Sequence, residues 1–223
     1  MNGPLIINFK NYLEISADKT VKLACEAQKV ADNLKVDIFI APPQPSLAIV
    51  VQKVKIPVIC QHVDDYLLGP STGFFIPEIA KSYGAVGSMI NHSEHRLDYS
   101  TITRIVDRLH KLSMLSIVCA QTAEEVEQVV KSSPDYVAIE PPELIGSGKA
   151  VSKENPTIIT DSLNVSRKHT SHTKVICGAG ITDSNDVHRA KELGAEGVLV
   201  ASGIIKSSQW YEKIYDLASG LVT

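Results

Sequence analysis

Eight short apolar runs recur along this chain of 223 residues, with longer stretches of helical spacing between them. The strand candidates are residues 4–9, 37–41, 57–60, 86–91, 115–120, 136–140, 174–178 and 197–201. Most are continuous Val, Ile, Leu and Ala runs, as parallel strands covered on both faces require. A strand with one wet face would alternate instead. Helix candidates fill the gaps. In 17–34 the apolar residues Leu23, Ala24, Ala27, Val30, Ala31 and Leu34 fall on one face. Residues 100–112, 123–131, 184–193 and 210–219 read likewise, and the Thr182-Asp183-Ser184 group is a suitable N-cap region for the fourth of these. Eight β/α units averaging about 28 residues point to a (β/α)8 barrel of the α/β class, somewhat compact for that fold. An open doubly wound sheet is the competitor, but no Gly-x-Gly-x-x-Gly follows the first strand. No linker or composition shift divides residues 1–223, so one domain is expected.

Composition removes several function classes. A formal net charge of −3 argues against nucleic acid as the main partner. No run of about 18 apolar residues exists, so no membrane span is expected. The chain opens directly on a strand-like run without a basic region and small-residue cleavage site, and a cytoplasmic protein is expected. Cys25, Cys60, Cys119 and Cys177 are scattered, which suits buried free thiols better than disulfides or zinc. The seven histidines lack the paired spacing with carboxylates that metal sites use, and His169-x-x-His172 reads as a solvated connecting segment. Neither a metal nor a cofactor is expected.

In a barrel, chemistry collects at the C-terminal strand ends. The first ends in Asn8-Phe9-Lys10-Asn11, where a lysine supplies fixed positive charge for a phosphate or a polarised carbonyl. The fourth ends in Asn91-His92-Ser93-Glu94-His95. A helix start there would disfavour imidazolium and leave His92 neutral, able to donate a hydrogen bond; His95 should face solvent. The sixth ends in Glu140, followed by Pro141-Pro142 and, after three apolar or acidic residues, Gly146-Ser147-Gly148-Lys149. A stiff hinge after an acid and a flexible hinge beyond it describe a lid over a general base. An ordinary strand end and surface loop has the same local sequence. Gly178 and Gly180 after the seventh strand, and Ala201-Ser202-Gly203 after the eighth, let backbone N–H groups approach an anion.

With these residues assembled, the chain resembles the triosephosphate isomerases, the short archaeal type in particular, along its whole length. The resemblance rests on Asn8-Phe9-Lys10, Asn91-His92-Ser93-Glu94, Glu140-Pro141 through Lys149, Cys177 to Gly180 and Val200 to Gly203. It implies a TIM barrel interconverting glyceraldehyde 3-phosphate and dihydroxyacetone phosphate, a reaction of glycolysis and gluconeogenesis. Proton transfer would run through an enediol(ate) without a cofactor. Glu140 would be the base, neutral His92 the electrophile and Lys10 the stabiliser of negative charge. That pairing of a carboxylate base with a neutral histidine is characteristic of the family. Asn8 and Phe9 would stand beside Lys10 in the substrate site, with Ser93 and Glu94 positioning the set. Phosphate would rest on backbone at Ile145, Gly146, Gly180, Ala201 and Ser202. The segment 62–77, with Phe74 and Phe75 expected to be exposed, resembles a loop that inserts into a neighbouring subunit, which implies a homodimer; short archaeal members also form tetramers.

The chain departs from the longer members of that family at Asn91, where they have Gly, in the lid at Glu143-Leu144, and at Gly180 and Ala201-Ser202. Cys119 matches a family cysteine and reads as packing. Two other functions stay open. Lys10 could form a Schiff base in a lyase, or the chain could bind sugar phosphates without turnover.

Overall fold

The computed structural model describes residues 3–222. Seven parallel strands form one sheet: β1 (Leu5–Asn8), β2 (Ile38–Ala41), β3 (Gly87–Ile90), β4 (Leu115–Ala120), β5 (Tyr136–Ile139), β6 (Lys174–Cys177) and β7 (Val198–Val200). Their order is β2-β1-β7-β6-β5-β4-β3. The third apolar run of the sequence, 57–60, closes the ring between the two edges. It makes isolated bridges, Ile40 to Val58 and Cys60 to Ser88. The Ile59 N–H donates to Ile40 O at 2.9 Å and the Cys60 N–H to Gly87 O at 2.9 Å. Pro57 has no N–H to give, which keeps this eighth position short. The fourth to eighth runs of the sequence are therefore β3 to β7.

Side-chain parity divides the core in two. Ile6, Phe39, Ala41, Ile59, Met89, Ile117, Cys119, Tyr136, Ala138, Ile176 and Leu199 fill the barrel interior. Their alternating neighbours, such as Leu5, Ile7, Val118, Ile139, Val175 and Val200, pack outward against the helices. Carrying the inward parity to the end of β1, and one step past β3, β5, β6 and β7, reaches Asn8, Asn91, Glu140, Gly178 and Ala201 at the mouth.

The surrounding helices follow from the sequence with small shifts. Asp18–Leu34 buries Leu23, Ala24, Ala27 and Val30 and ends at Lys35, a left-handed cap whose N–H bonds Ala31 O. Tyr99–Lys111 starts on Asp98, whose carboxylate accepts from the Thr101 N–H at 2.9 Å. Ser184–Glu192 starts on Asp183, as the sequence predicts. The helix Pro156–His169 is a further element that periodicity did not mark. Its buried face is Ile159, Ser162, Leu163 and Ser166, half of it small and polar, so the apolar stripe is faint. His169 consequently ends a helix 3.5 Å from Glu127, and His172 lies 3.2 Å from Asp135. His169 therefore belongs to a helix, while His172 lies in an exposed connection as expected.

Candidate active site

A cavity of about 370 Å³ opens at the C-terminal mouth, lined by Asn8, Lys10, His92, Glu94, Glu140, Ile145, Gly146, Gly180, Ala201 and Ser202 among others. It gathers every site residue predicted from the sequence except Phe9. Phe9 shares the outward parity of Leu5 and Ile7 and is fully buried in the outer core. Burying such a ring contributes about 2 kcal/mol, more than a mouth position would return. Tyr12, Thr182 and Lys206 also line the cavity, and sequence reasoning missed all three. Lys206 Nζ sits 5.4 Å over the Tyr12 ring, a pairing that no local motif announces.

Two non-glycine residues at the mouth hold left-handed backbone, Lys10 at φ 50° and Asn91 at φ 61°. Such strain persists only where neighbours enforce it. The Lys10 N–H donates to Asn8 Oδ1 at 3.0 Å, and Gln61 Nε2 donates to Lys10 O at 3.0 Å. Asn91 is buried; its Nδ2 donates to Cys119 O at 2.9 Å and its Oδ1 accepts from the Leu97 N–H at 2.9 Å. Asparagine tolerates this conformation, so Asn91 keeps the turn and adds two bonds.

Those constraints aim the chemistry. Lys10 Nζ donates to Glu94 Oε1 at 2.7 Å. The Glu94 N–H donates to His92 Nδ1 at 3.1 Å, so in the neutral ring the proton resides on Nε2. Burial, then the Lys10 charge, pull His92 down to about 4, against the opposing influence of Glu94. Burial and the Lys10 charge, rather than a helix start, act toward the neutral imidazole that the sequence suggests. No helix begins at His92, since the next one starts at Tyr99. His95 is exposed but stacks on His62 with ring centroids 3.8 Å apart.

Glu140 continues β5 inward, its N–H bonded to Ala120 O at 2.8 Å. Its carboxylate is almost wholly buried, and burial pushes it up to about 7; the Cys119 thiol and Lys10 act to lower it and Glu94 to raise it. Oε2 has no hydrogen-bond partner among the described residues and lies 3.7 Å from His92 Nε2. Gly178 makes room for it. A Cβ there would meet Glu140 Cγ at 2.5 Å and Cδ at 3.1 Å. The sequence signalled Gly178 for backbone access, not for this clearance.

In the same cavity lining, Gly146, Gly148 and Gly180 all have positive φ, of 68°, 73° and 69°. Gly180 also admits the loop that follows β5, because a Cβ there would lie 1.8 Å from Lys149 O. Among the described residues no group of three or more His, Cys, Asp or Glu is arranged to hold a metal ion.

A family model described as triosephosphate isomerase matches residues 4–218. The chain belongs to the triosephosphate isomerase family. Relatives bearing that name include one from Caldivirga maquilingensis, 44% identical over 98% of this chain and 97% of its own length. Those from Cenarchaeum symbiosum and Methanothermus fervidus are 43% and 41% identical, each across 97% of this chain. The (β/α)8 barrel expected from eight repeating units is the fold of this triosephosphate isomerase family member.

Proposed function

We propose that the protein is a triose-phosphate isomerase, an intramolecular aldose–ketose isomerase needing no cofactor. The observation that carries this reading is the unpartnered Oε2 of Glu140, 3.7 Å from the Nε2–H of a neutral histidine, with the Lys10 ammonium on the same cavity wall. Bound dihydroxyacetone phosphate would present its carbonyl oxygen to His92 and Lys10 and its C1 to Glu140. The ionised carboxylate takes a C1 proton, and the electron pair moves through the new C1–C2 double bond onto the carbonyl oxygen. His92 and Lys10 stabilise that charge. Return of the proton to C2, with transfer between the two oxygens, gives glyceraldehyde 3-phosphate. A base near 7 suits this work, since about half of it is ionised at neutral pH and it is basic enough to accept a carbon-bound proton.

The phosphate is proposed to lie on the backbone of Ile145, Gly146, Gly180, Ala201 and Ser202, with residues 141–149 as the lid. Lys206 adds a positive charge at the same cavity. A Schiff-base lyase is disfavoured because Lys10 Nζ is held against Glu94 Oε1 at 2.7 Å. Borohydride with substrate should accordingly leave activity intact. We also propose a homodimer. Lys10, His92 and Glu94 face a second cavity of about 710 Å³ with Asn11, Gln44 and Asp64, suited to an inserted loop. The loop beyond Asp64 exposes Leu67, Leu68 and Phe74, the last stacked on Tyr66 at 4.1 Å. Phe75 differs from expectation, being half-buried against the core while its N–H bonds Asp64 Oδ2 at 2.7 Å. The cytoplasm is the proposed compartment, supported by the buried free thiols of Cys60, Cys119 and Cys177.

Turnover of glyceraldehyde 3-phosphate with EDTA present tests the function. Wild type should turn over rapidly and Glu140→Gln should lose about 10²–10⁴-fold in kcat, the share of a general base. A wild type that binds phosphoglycolate without turnover would refute the isomerase and leave a binding protein.

A further inference from the structure

One buried carboxylate outside the proton-transfer set touches both halves of the anion site. Asp186 lies in the first turn of the helix Ser184–Glu192 and is 1% exposed. Its Oδ2 accepts from the Thr182 N–H at 2.8 Å and from Thr182 Oγ1 at 2.7 Å. Those bonds hold the turn after β6, of which Gly180, Ile181 and Thr182 line the cavity. Its Oδ1 lies 2.6 Å from Lys153 Nζ and has no other polar partner among the described residues. Lys153 belongs to the short helix Val151–Glu154, directly after the lid, and its side chain is 56% exposed.

Two further contacts join the same pieces. The Val151 N–H donates to Ala179 O at 3.2 Å, and Ser152 Oγ donates to Asp186 O at 3.3 Å. The far end of the lid and the turn after β6 are thus stitched together, with an ion pair as the strongest stitch. An unpaired buried carboxylate would be costly, so Asp186 holds Lys153 in place. A lysine this exposed would otherwise be free to wander.

We propose that Lys153 and Asp186 are positioning residues that register the closing lid against the phosphate-bearing turn, so that the enediol phosphate is held through both proton transfers. This rests on the isomerase reading above. Neither residue lines the cavity, so each acts through Gly146, Gly180 and Thr182. When the lid is out of register, the enediolate's electron pair expels phosphate by C–O cleavage and methylglyoxal leaves with inorganic phosphate.

The test uses Lys153→Met, Lys153→Arg and Asp186→Asn in the full chain, scoring kcat, KM, methylglyoxal per turnover and phosphoglycolate affinity. Lys153→Met should raise the methylglyoxal fraction and weaken phosphoglycolate binding by about tenfold or more, the consequence of misregister near an ångström. Lys153→Arg should restore both to near wild type. Asp186→Asn keeps an acceptor for Thr182 without leaving a buried charge unpaired; it should behave like Lys153→Met even if that variant folds poorly. Wild-type product ratio and affinity in either folded variant would overturn the tether. A wild type without isomerase turnover would instead sink the function, and the phosphoglycolate measurement would still judge the tether.

Discussion

Replacing Glu140 by glutamine should stabilise the protein at alkaline pH and stop doing so in acid. The folded carboxyl titrates at about 7 against an ordinary value of 4.5, chiefly because it is buried. A carboxyl whose folded value is raised favours the native state fully below its unfolded value. That advantage is lost as pH rises through its folded value. Each unit of difference is 1.36 kcal/mol, so ionising Glu140 costs the native state about 3 kcal/mol once the pH exceeds 7. Glutamine fills nearly the same volume and never ionises. Urea unfolding of wild type and Glu140→Gln at pH 4.5 and 8.5, at one fixed protomer concentration, reads this directly. Groups common to both proteins cancel in the difference, and any misfit of the amide adds a constant. The variant should gain about 3 kcal/mol on wild type between the two pH values. A difference that stays flat within about 0.5 kcal/mol would refute the claim that this base is held uphill by its surroundings.

Four other outcomes follow from the structure. The acid limb of kcat/KM should fall near pH 7 and belong to Glu140, with no further limb from His92, which is held near 4. Cys119→Ala should move that limb upward by removing a thiol that lowers Glu140, whereas a limb due to substrate phosphate would not move. Gly178→Ala should cut kcat by about a hundredfold with little change in KM, because the new Cβ would sit 2.5 Å from Glu140 Cγ; unchanged kcat in steady-state assays would show that the carboxylate can shift freely. Phe74→Asp should weaken self-association by about tenfold or more, visible in sedimentation velocity and as specific activity falling on dilution. An unchanged dimer would remove this loop from the interface.

Much of this protein can be read from its residues in order. Continuous apolar runs fix the strands because the sheet is buried on both faces, and helical spacing fixes the principal helices. Glu140 and Lys10 stand out because they follow apolar runs at the strand ends where a barrel collects its chemistry, although an ordinary strand end can carry the same residues. The helix Pro156–His169 escaped notice because serines occupy half its buried face. Phe9 belongs to the Asn8-Phe9-Lys10 motif that carries the resemblance, but it shares the outward parity of Leu5 and Ile7.

What tertiary structure alone decided is which distant residues meet. The gap for Glu140 comes from Gly178, 38 positions away, and the neutrality of His92 from burial and the charge of Lys10. Lys153 finds Asp186 only because the lid folds back onto the turn after β6. Periodicity is a local property of the chain and survives in one dimension. Burial, clearance and charge proximity depend on barrel closure, which brings strand ends together that are far apart in sequence.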